Sequence, residues 1–219
     1  MPCVRRAHHS WGSSHLKGLR QIQTLDLSVP TITDAGLQHI EGLNQLEVLS
    51  LDHTQVTDAG LQHLKGLEKL QCLSLLGTKV DGSGLEYLKA LNEFGRLLMV
   101  GAEVTDVGLE HVSGLHQLQM LDLWNTKVTD TGLGHLKGLD QLNWLSLRGT
   151  RVTDAGLVHL IGLKKLQILY LNNTKVTDAG MDRLAGMSQL QTVFLTGTAV
   201  SDEGVKKLQA ALPNCGIVQ

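Results

Sequence analysis

The sequence lacks most of the features that would announce a function at once. It carries no basic excess: the net charge is −2 and the pI is near 6.5. That argues against a dedicated nucleic-acid binder, which needs cationic side chains to neutralise phosphates. Cysteine is scarce. Cys3, Cys72 and Cys215 are odd in number and far apart, so neither a disulfide framework nor a CxxC metal site is expected, and a reducing setting fits. Long apolar runs are missing as well. The start, MPCVRRAHHSWGSSHLKGL, places Arg5 and Arg6 before no apolar stretch of the kind a signal peptide needs, and nothing later approaches a membrane span. The expected location is therefore the cytoplasm, unless an export signal lies upstream. Aromatic residues number only seven, three Trp, two Tyr and two Phe, so where they fall carries information.

What the sequence does contain is repetition. HTQVTDAGLQHLKGLEKL at 53–70 returns almost unchanged as GTRVTDAGLVHLIGLKKL at 149–166. In rows of 24, Ile22, Leu46, Leu70, Phe94, Leu118, Leu142, Leu166 and Leu190 fall in one column with no insertion or deletion, which makes eight rows. A fixed period of this size marks a solenoid, whose units bury their apolar faces only by stacking on their neighbours. No domain boundary interrupts the array.

Each row has two periodicities. LEVLSLDHT at 46–54 alternates as a strand, with Leu46, Leu49 and Leu51 inward and Val48, Ser50 and Asp52 outward. VTDAGLQHLKGL then places Leu61, Leu64 and Leu67 on one face of a predicted helix. The column Thr33, Thr57, Asp81, Thr105, Thr129, Thr153, Thr177, Ser201 holds only residues able to cap a helix N-terminus. An Asp follows in every row but one, where Gly82 stands, and its charge suits the positive end of the helix dipole. Gly42, Gly66, Gly114, Gly138, Gly162 and Gly186 sit where left-handed C-caps are expected.

The pattern LxxLxLxxTxVTDAGLxHLxGLxx resembles a leucine-rich repeat, of the TDAGL form found in bacterial proteins, over residues 13 to 219. The resemblance implies an α/β fold: a right-handed horseshoe with a parallel sheet on the concave side and helices on the convex side. Thr54, Thr78, Thr126, Thr150, Thr174 and Thr198 occupy the position of that family's polar ladder; Pro30 and Ala102 interrupt it. By this reading residues 1–12 are a degenerate N-terminal segment or truncated repeat, 13–212 the array, and 213–219 a capping strand in which Ile217 is in register with Val193. Trp11 sealing a worn end, and a fragment of a longer array, both remain open for the N-terminus.

Function has to come from a site rather than from the fold. The column His15, His39, His63, His111, His135, His159 is set on helices about 8–10 Å apart, too far for two ligands of one zinc, so no metal and no cofactor are expected. Ser50, Asp52, His53 and Asp26 do not converge as a triad would, and Arg148 with Asn172 lacks any motif for GTPase activation, so no catalytic residue is expected. The outward strand columns are different. Four of the seven aromatics, Trp124, Trp144, Tyr170 and Phe194, fall there, all in the last four rows, with Leu98, Val100, Met120 and Arg148 beside them. An outward face of Trp, Tyr, Met and Arg has the composition of interface hot spots. Lys79, Lys127, Arg151 and Lys175 form a basic rim at the next turn. The expectation is a non-catalytic module that binds a protein or peptide, with acidic groups matching the rim, and that binds neither nucleic acid nor membrane. A structural spacer within a larger protein and a carbohydrate or polyanion binder are the alternatives.

Overall fold

The computed structural model describes residues 20–219. Nine strands of three residues run in chain order through one parallel sheet: β1 (Thr24–Asp26), β2 (Val48–Ser50), β3 (Cys72–Ser74), β4 (Arg96–Leu98), β5 (Met120–Asp122), β6 (Trp144–Ser146), β7 (Ile168–Tyr170), β8 (Thr192–Phe194) and β9 (Gly216–Val218). Register follows the repeat, Leu49 against Leu73, Leu97 against Leu121, and Val193 against Ile217 as the sequence columns require. The chain is an α/β leucine-rich solenoid, and the helical segments line the side opposite the sheet. The expected segment 1–12, the seal by Trp11 and the histidine at His15 lie outside the described residues.

The inward columns make one continuous core. Leu49, Leu73, Leu97, Leu121, Leu145 and Leu169 are fully buried, as are the helical Leu61, Leu85, Leu109, Leu133 and Leu157. Ala102 is also buried at the position that is threonine in every other row but the first, where Pro30 stands, and the row around it stays regular because the Ala102 N–H still reaches the Met99 carbonyl at 3.1 Å. No helix among the described residues is long and apolar enough to cross a membrane.

The helices depart from the expectation. α1 (Asp34–Leu37), α2 (Asp106–Leu109), α3 (Asp130–Leu133) and α4 (Asp154–Leu157) are single turns that tighten at once into 3-10 segments; 58–64 and 83–88 are 3-10 throughout. Only α5 (Asp178–Leu184) and α6 (Asp202–Ala211) are longer α-helices. The buried positions are compatible with it, although α5 stays α-helical with the same spacing at Met181, Leu184 and Met187. Leu61, Leu64 and Leu67 are spaced strictly by three, and a 3-10 helix, with three residues per turn, stacks such positions in one stripe that an α-helix would smear around its axis.

The threonine and aspartate columns have a second role beyond the expected cap and dipole partner. Each Asp carboxylate reaches forward one row. Asp34 Oδ1 accepts the Thr57 N–H at 2.8 Å and its Oδ2 accepts the Thr57 hydroxyl at 2.7 Å. Asp130 does the same to Thr153, Asp154 to Thr177 and Asp178 to Ser201, at 2.6–2.8 Å. The expected cap forms in five rows, where Thr105, Thr129, Thr153, Thr177 and Ser201 accept helix N–H groups at 3.2–3.4 Å, longer than the bonds to the carboxylates, while Thr33 and Thr57 cap nothing. These two hydrogen bonds hold the Asp178 carboxyl below its ordinary value, so the Ser201 contact stabilises the fold above the unfolded carboxyl pKa and weakens as acid protonates it.

The same carboxylate dictates a glycine in the next row. A Cβ added at Gly60, Gly132, Gly156 or Gly180 would run into the Oδ1 of the preceding row's aspartate, at Asp34, Asp106, Asp130 and Asp154 in turn. Left-handed backbone is needed elsewhere than expected. Of the predicted C-caps only Gly42 (φ +83°) and Gly138 (φ +89°) adopt it, although their rows close the same turn as the others, Leu43 N–H to the Ile40 carbonyl just as Leu67 N–H to the Leu64 carbonyl. The consistently left-handed column is 53, 77, 101, 125, 149, 173 and 197, where the chain leaves the strand; it reads His, Gly, Gly, Asn, Gly, Asn, Gly.

Just past that turn, Thr54, Thr78, Thr126, Thr150 and Thr174 are buried and each donates its hydroxyl to the carbonyl three residues back, 2.6–2.8 Å away. The threonines thus close their own turns rather than linking rows. Cys72 is disulfide-bonded, against the expectation drawn from the cysteine count, whereas Cys215 is a buried free thiol.

Two stability measurements check this arrangement. Leu121→Ala or Leu145→Ala should cost about 2–5 kcal/mol in urea melts, because a hole in mid-stack cannot be closed by collapse of fixed neighbouring rows. Gly156→Ala should cost about 1–3 kcal/mol, and part of that cost should vanish in an Asp130→Ala background; additive costs would mean that the carboxylate is not what the glycine clears.

Candidate functional site

The concave face has two halves with different chemistry. In the N-terminal half the outward Asp26, Ser28, Ser50, Asp52 and Ser74 are short and polar, and they satisfy one another. The Ser28 and Ser50 hydroxyls are 2.8 Å apart, Asp26 Oδ1 accepts the Ser28 N–H at 3.0 Å, and Asp52 Oδ1 accepts both the Ser74 hydroxyl and the Leu76 N–H. Ser50, Ser74 and Cys72, expected to be outward and open, are in fact buried, because small side chains sit below taller neighbours on a concave surface. Asp52 is bonded to Ser74 and the backbone, and Ser50 to Ser28, so these residues form no nucleophile and base pair.

The C-terminal half is apolar and aromatic. Tyr170 and Phe194 are direct register partners, and their rings stack at 4.2 Å with planes within 4°. Trp144 joins them diagonally, 5.1 Å from Tyr170 and tilted by 49°. The diagonal is open because Ser146, the register partner of Tyr170, is a small residue buried beneath the rings. Met120 extends this run as the partner of Trp144. A second run lies two residues further along each strand. Trp124 is 41% exposed and carries the Arg148 guanidinium 4.4 Å above its ring, a cation–π stack; half-buried Val100 lies one row before Trp124. Leu98 faces Asp122 in register between the two runs.

Asp122 is the residue the sequence reading passed over. It is half-buried on the floor between the aromatic runs, and desolvation there pushes its carboxyl above the ordinary value, against the Trp124 N–H at 3.1 Å and the Ser146 hydroxyl, which favour the charged form. An outward Asp flanked on its own strand by Met120 and Trp124 was the available signal. Ile168, half-buried between Trp144 and Thr192, is a further apolar member of the face.

The rim residues Lys79, Lys127, Arg151 and Lys175 are exposed. They follow the left-handed turn on a backbone tied row to row, with the Lys127, Arg151 and Lys175 N–H groups donating to the Val104, Val128 and Val152 carbonyls at 3.0–3.1 Å. Lys127 has Glu103 at 3.6 Å; Lys79, Arg151, Lys175 and Arg148 make no ion pair among the described residues. On the convex side His63 pairs with Glu41, beside an open cleft of about 280 Å³, and no group of three potential metal ligands occurs among the described residues.

This geometry can be set against known proteins. No family profile and no curated protein matches the sequence. Among solved structures, an internalin C2 from Listeria monocytogenes matches at 31% identity and a TM-score of 0.72, over 94% of this chain and 83% of that one. The chain belongs to the leucine-rich repeat family. A second internalin of that organism shares the fold at 23% identity and a TM-score of 0.68; there the leucine-rich repeat chain described here is covered over 93%, but it spans only 62% of the other's length. Neither comparison points to a catalytic family.

Replacing the carboxyl on the floor tests the electrostatics of the leucine-rich face. The raised pKa of Asp122 means that its ionised form opposes folding, absent where the unfolded carboxyl is protonated and growing as pH rises through the folded pKa. Asp122→Asn should therefore melt at a higher temperature than wild type at pH 7, and the gap should close as pH falls toward the unfolded carboxyl pKa. A variant less stable than wild type at neutral pH would contradict this.

Proposed function

We propose that the protein is a non-catalytic binding module that takes a protein or peptide on the C-terminal half of its concave sheet, through Met120, Trp124, Trp144, Arg148, Tyr170 and Phe194, with Leu98 and Val100 at the margin. The observation that carries this reading is the aromatic run across β6 to β8: three half-buried rings on the outward side of the sheet, Tyr170 touching both Trp144 and Phe194, in a chain with seven aromatics altogether. An apolar patch of this kind on an outward sheet face has the composition of a hot spot, and its neighbouring half offers none because its polar groups already bond to each other. The cations of the rim support acidic groups on the partner. The general likeness to leucine-rich repeat proteins is consistent with a protein partner.

Affinity capture from a native lysate tests the reading, with wild type against the Trp124→Ala, Trp144→Ala double variant. Each substitution should weaken binding of a captured partner at least tenfold, as the loss of a hot-spot aromatic does. Trp124→Ala should change the melting temperature little because the ring is 41% exposed, while Tyr170→Ala, which breaks two ring contacts, should cost about 1 kcal/mol of stability. Thr24→Ala, at the other end, should alter neither. Folded tryptophan variants that bind normally would remove the face as the site, and binding that collapses in salt while ignoring the tryptophans would favour a polyanion on the rim.

A further inference from the structure

We infer that the partner segment is an acidic amphipathic helix lying across the strands, its apolar stripe on the Trp144–Tyr170–Phe194 run and its carboxylates toward Arg148 and the rim. The inference rests on the concave-face reading above and specifies its ligand. The direction comes from the rings. They contact one another from row to row rather than along a strand, so an apolar stripe that covers them has to run parallel to the solenoid axis.

Spacing then selects the secondary structure. The rings succeed each other at 5.1 and 4.2 Å. Residues on one stripe of an α-helix recur about every 5.4 Å, one turn, whereas residues on one side of an extended segment recur about every 6.8 Å. Over four rows spaced about 4.8 Å apart, a helix drifts by roughly 2 Å and keeps one side chain per row; an extended segment drifts by roughly 6 Å and slips by more than a row.

Charge selects the rest. Arg148 is exposed with its guanidinium 4.4 Å over the Trp124 ring, has no acidic partner among the described residues, and carries the donor fork that takes a carboxylate bidentately. Arg151 and Lys175 follow on the same side in the same and next rows, on backbone fixed by the rim ladder. The aromatic run on the other side presents no charge. A helix with leucines at i, i+4, i+7 and i+11 and glutamates on the adjoining stripe meets both surfaces at once. Asp122, the acid on the floor between the runs, opposes the glutamates, so neutralising it should help such a ligand.

The experiment uses three synthetic peptides of about four helical turns: this Leu/Glu helix, the same composition reordered so that leucines alternate as in a strand, and the helix with Lys in place of Glu. Tryptophan fluorescence of the whole protein reports binding. Expected are saturable binding of the Leu/Glu helix, at least tenfold weaker binding of the other two peptides, at least tenfold loss with Trp144→Ala or Arg148→Ala, and unchanged or tighter binding with Asp122→Asn. The inference is overturned if the alternating or the lysine peptide binds as well, if Arg148→Ala has no effect, if Asp122→Asn weakens binding, or if the Leu/Glu helix does not bind. Should a Trp144-dependent partner still be captured from lysate in any of those cases, the helix fails and the concave face stands; loss of both sinks the underlying reading as well.

Discussion

The solenoid depends on one recurring contact, an aspartate carboxylate that leaves its own row and closes on the backbone and hydroxyl of the next. Because Asp34, Asp106, Asp130, Asp154 and Asp178 each bind two donors twenty-three residues ahead, successive rows cannot rotate or slide against each other without breaking charge-assisted hydrogen bonds. The TDAGL phrase is the chemical record of this contact. Thr or Ser donates, Asp accepts, Gly makes room for the acid arriving from the previous row, and Leu anchors the segment in the core. Apolar stacking supplies the bulk of the stability; the carboxylates fix the register in which it is collected.

That rigidity is what makes the face usable. Rings that would collapse together on a mobile loop are set at fixed spacing by strands in strict register, and the two halves of the sheet divide polar self-satisfaction from exposed aromatic surface. Binding on such a preformed surface loses little conformational entropy on the protein's side.

The row length, the inward leucines, the parallel register and the outward position of the aromatics were all legible in the sequence, since each depends on spacing within a row or on simple alternation. The rest depended on partners one row away. Column identity at Asp58 or Asp130 shows that a position is constrained, but a helix dipole and a neighbour's N–H make the same demand on residue type. The left-handed column at 53 to 197 was visible as an alternation of Gly and Asn, yet it was masked by the more obvious glycines near the helix ends. The strict threes of Leu61, Leu64 and Leu67 fit a 3-10 helix as well as an α-helix. At the candidate site, the outward placement of Trp124, Trp144, Tyr170 and Phe194 could be read, while the burial of Ser50 and Cys72 and the desolvation of Asp122 follow from the heights of neighbouring side chains, which a column does not show.

The third row is the one place where the contact changes. There Asp81 stands for the donating threonine and Gly82 for the accepting aspartate, so Asp58 accepts from the Asp81, Gly82 and Gly84 N–H groups instead, and the Thr105 N–H is left with the Asp81 carbonyl at 3.2 Å. The exception travels with that row rather than with its position in the stack. Every other row carries a matching plug and socket, so gain or loss of a unit by unequal recombination between 106 and 201 rejoins like to like and leaves no new surface to be solved. A copy of the third row would add a second seam. A unit added or removed on the aromatic side therefore meets the same contact at both of its joints, and would lengthen or shorten the face by one strand, whereas a second copy of the segment around Gly82 would not meet it.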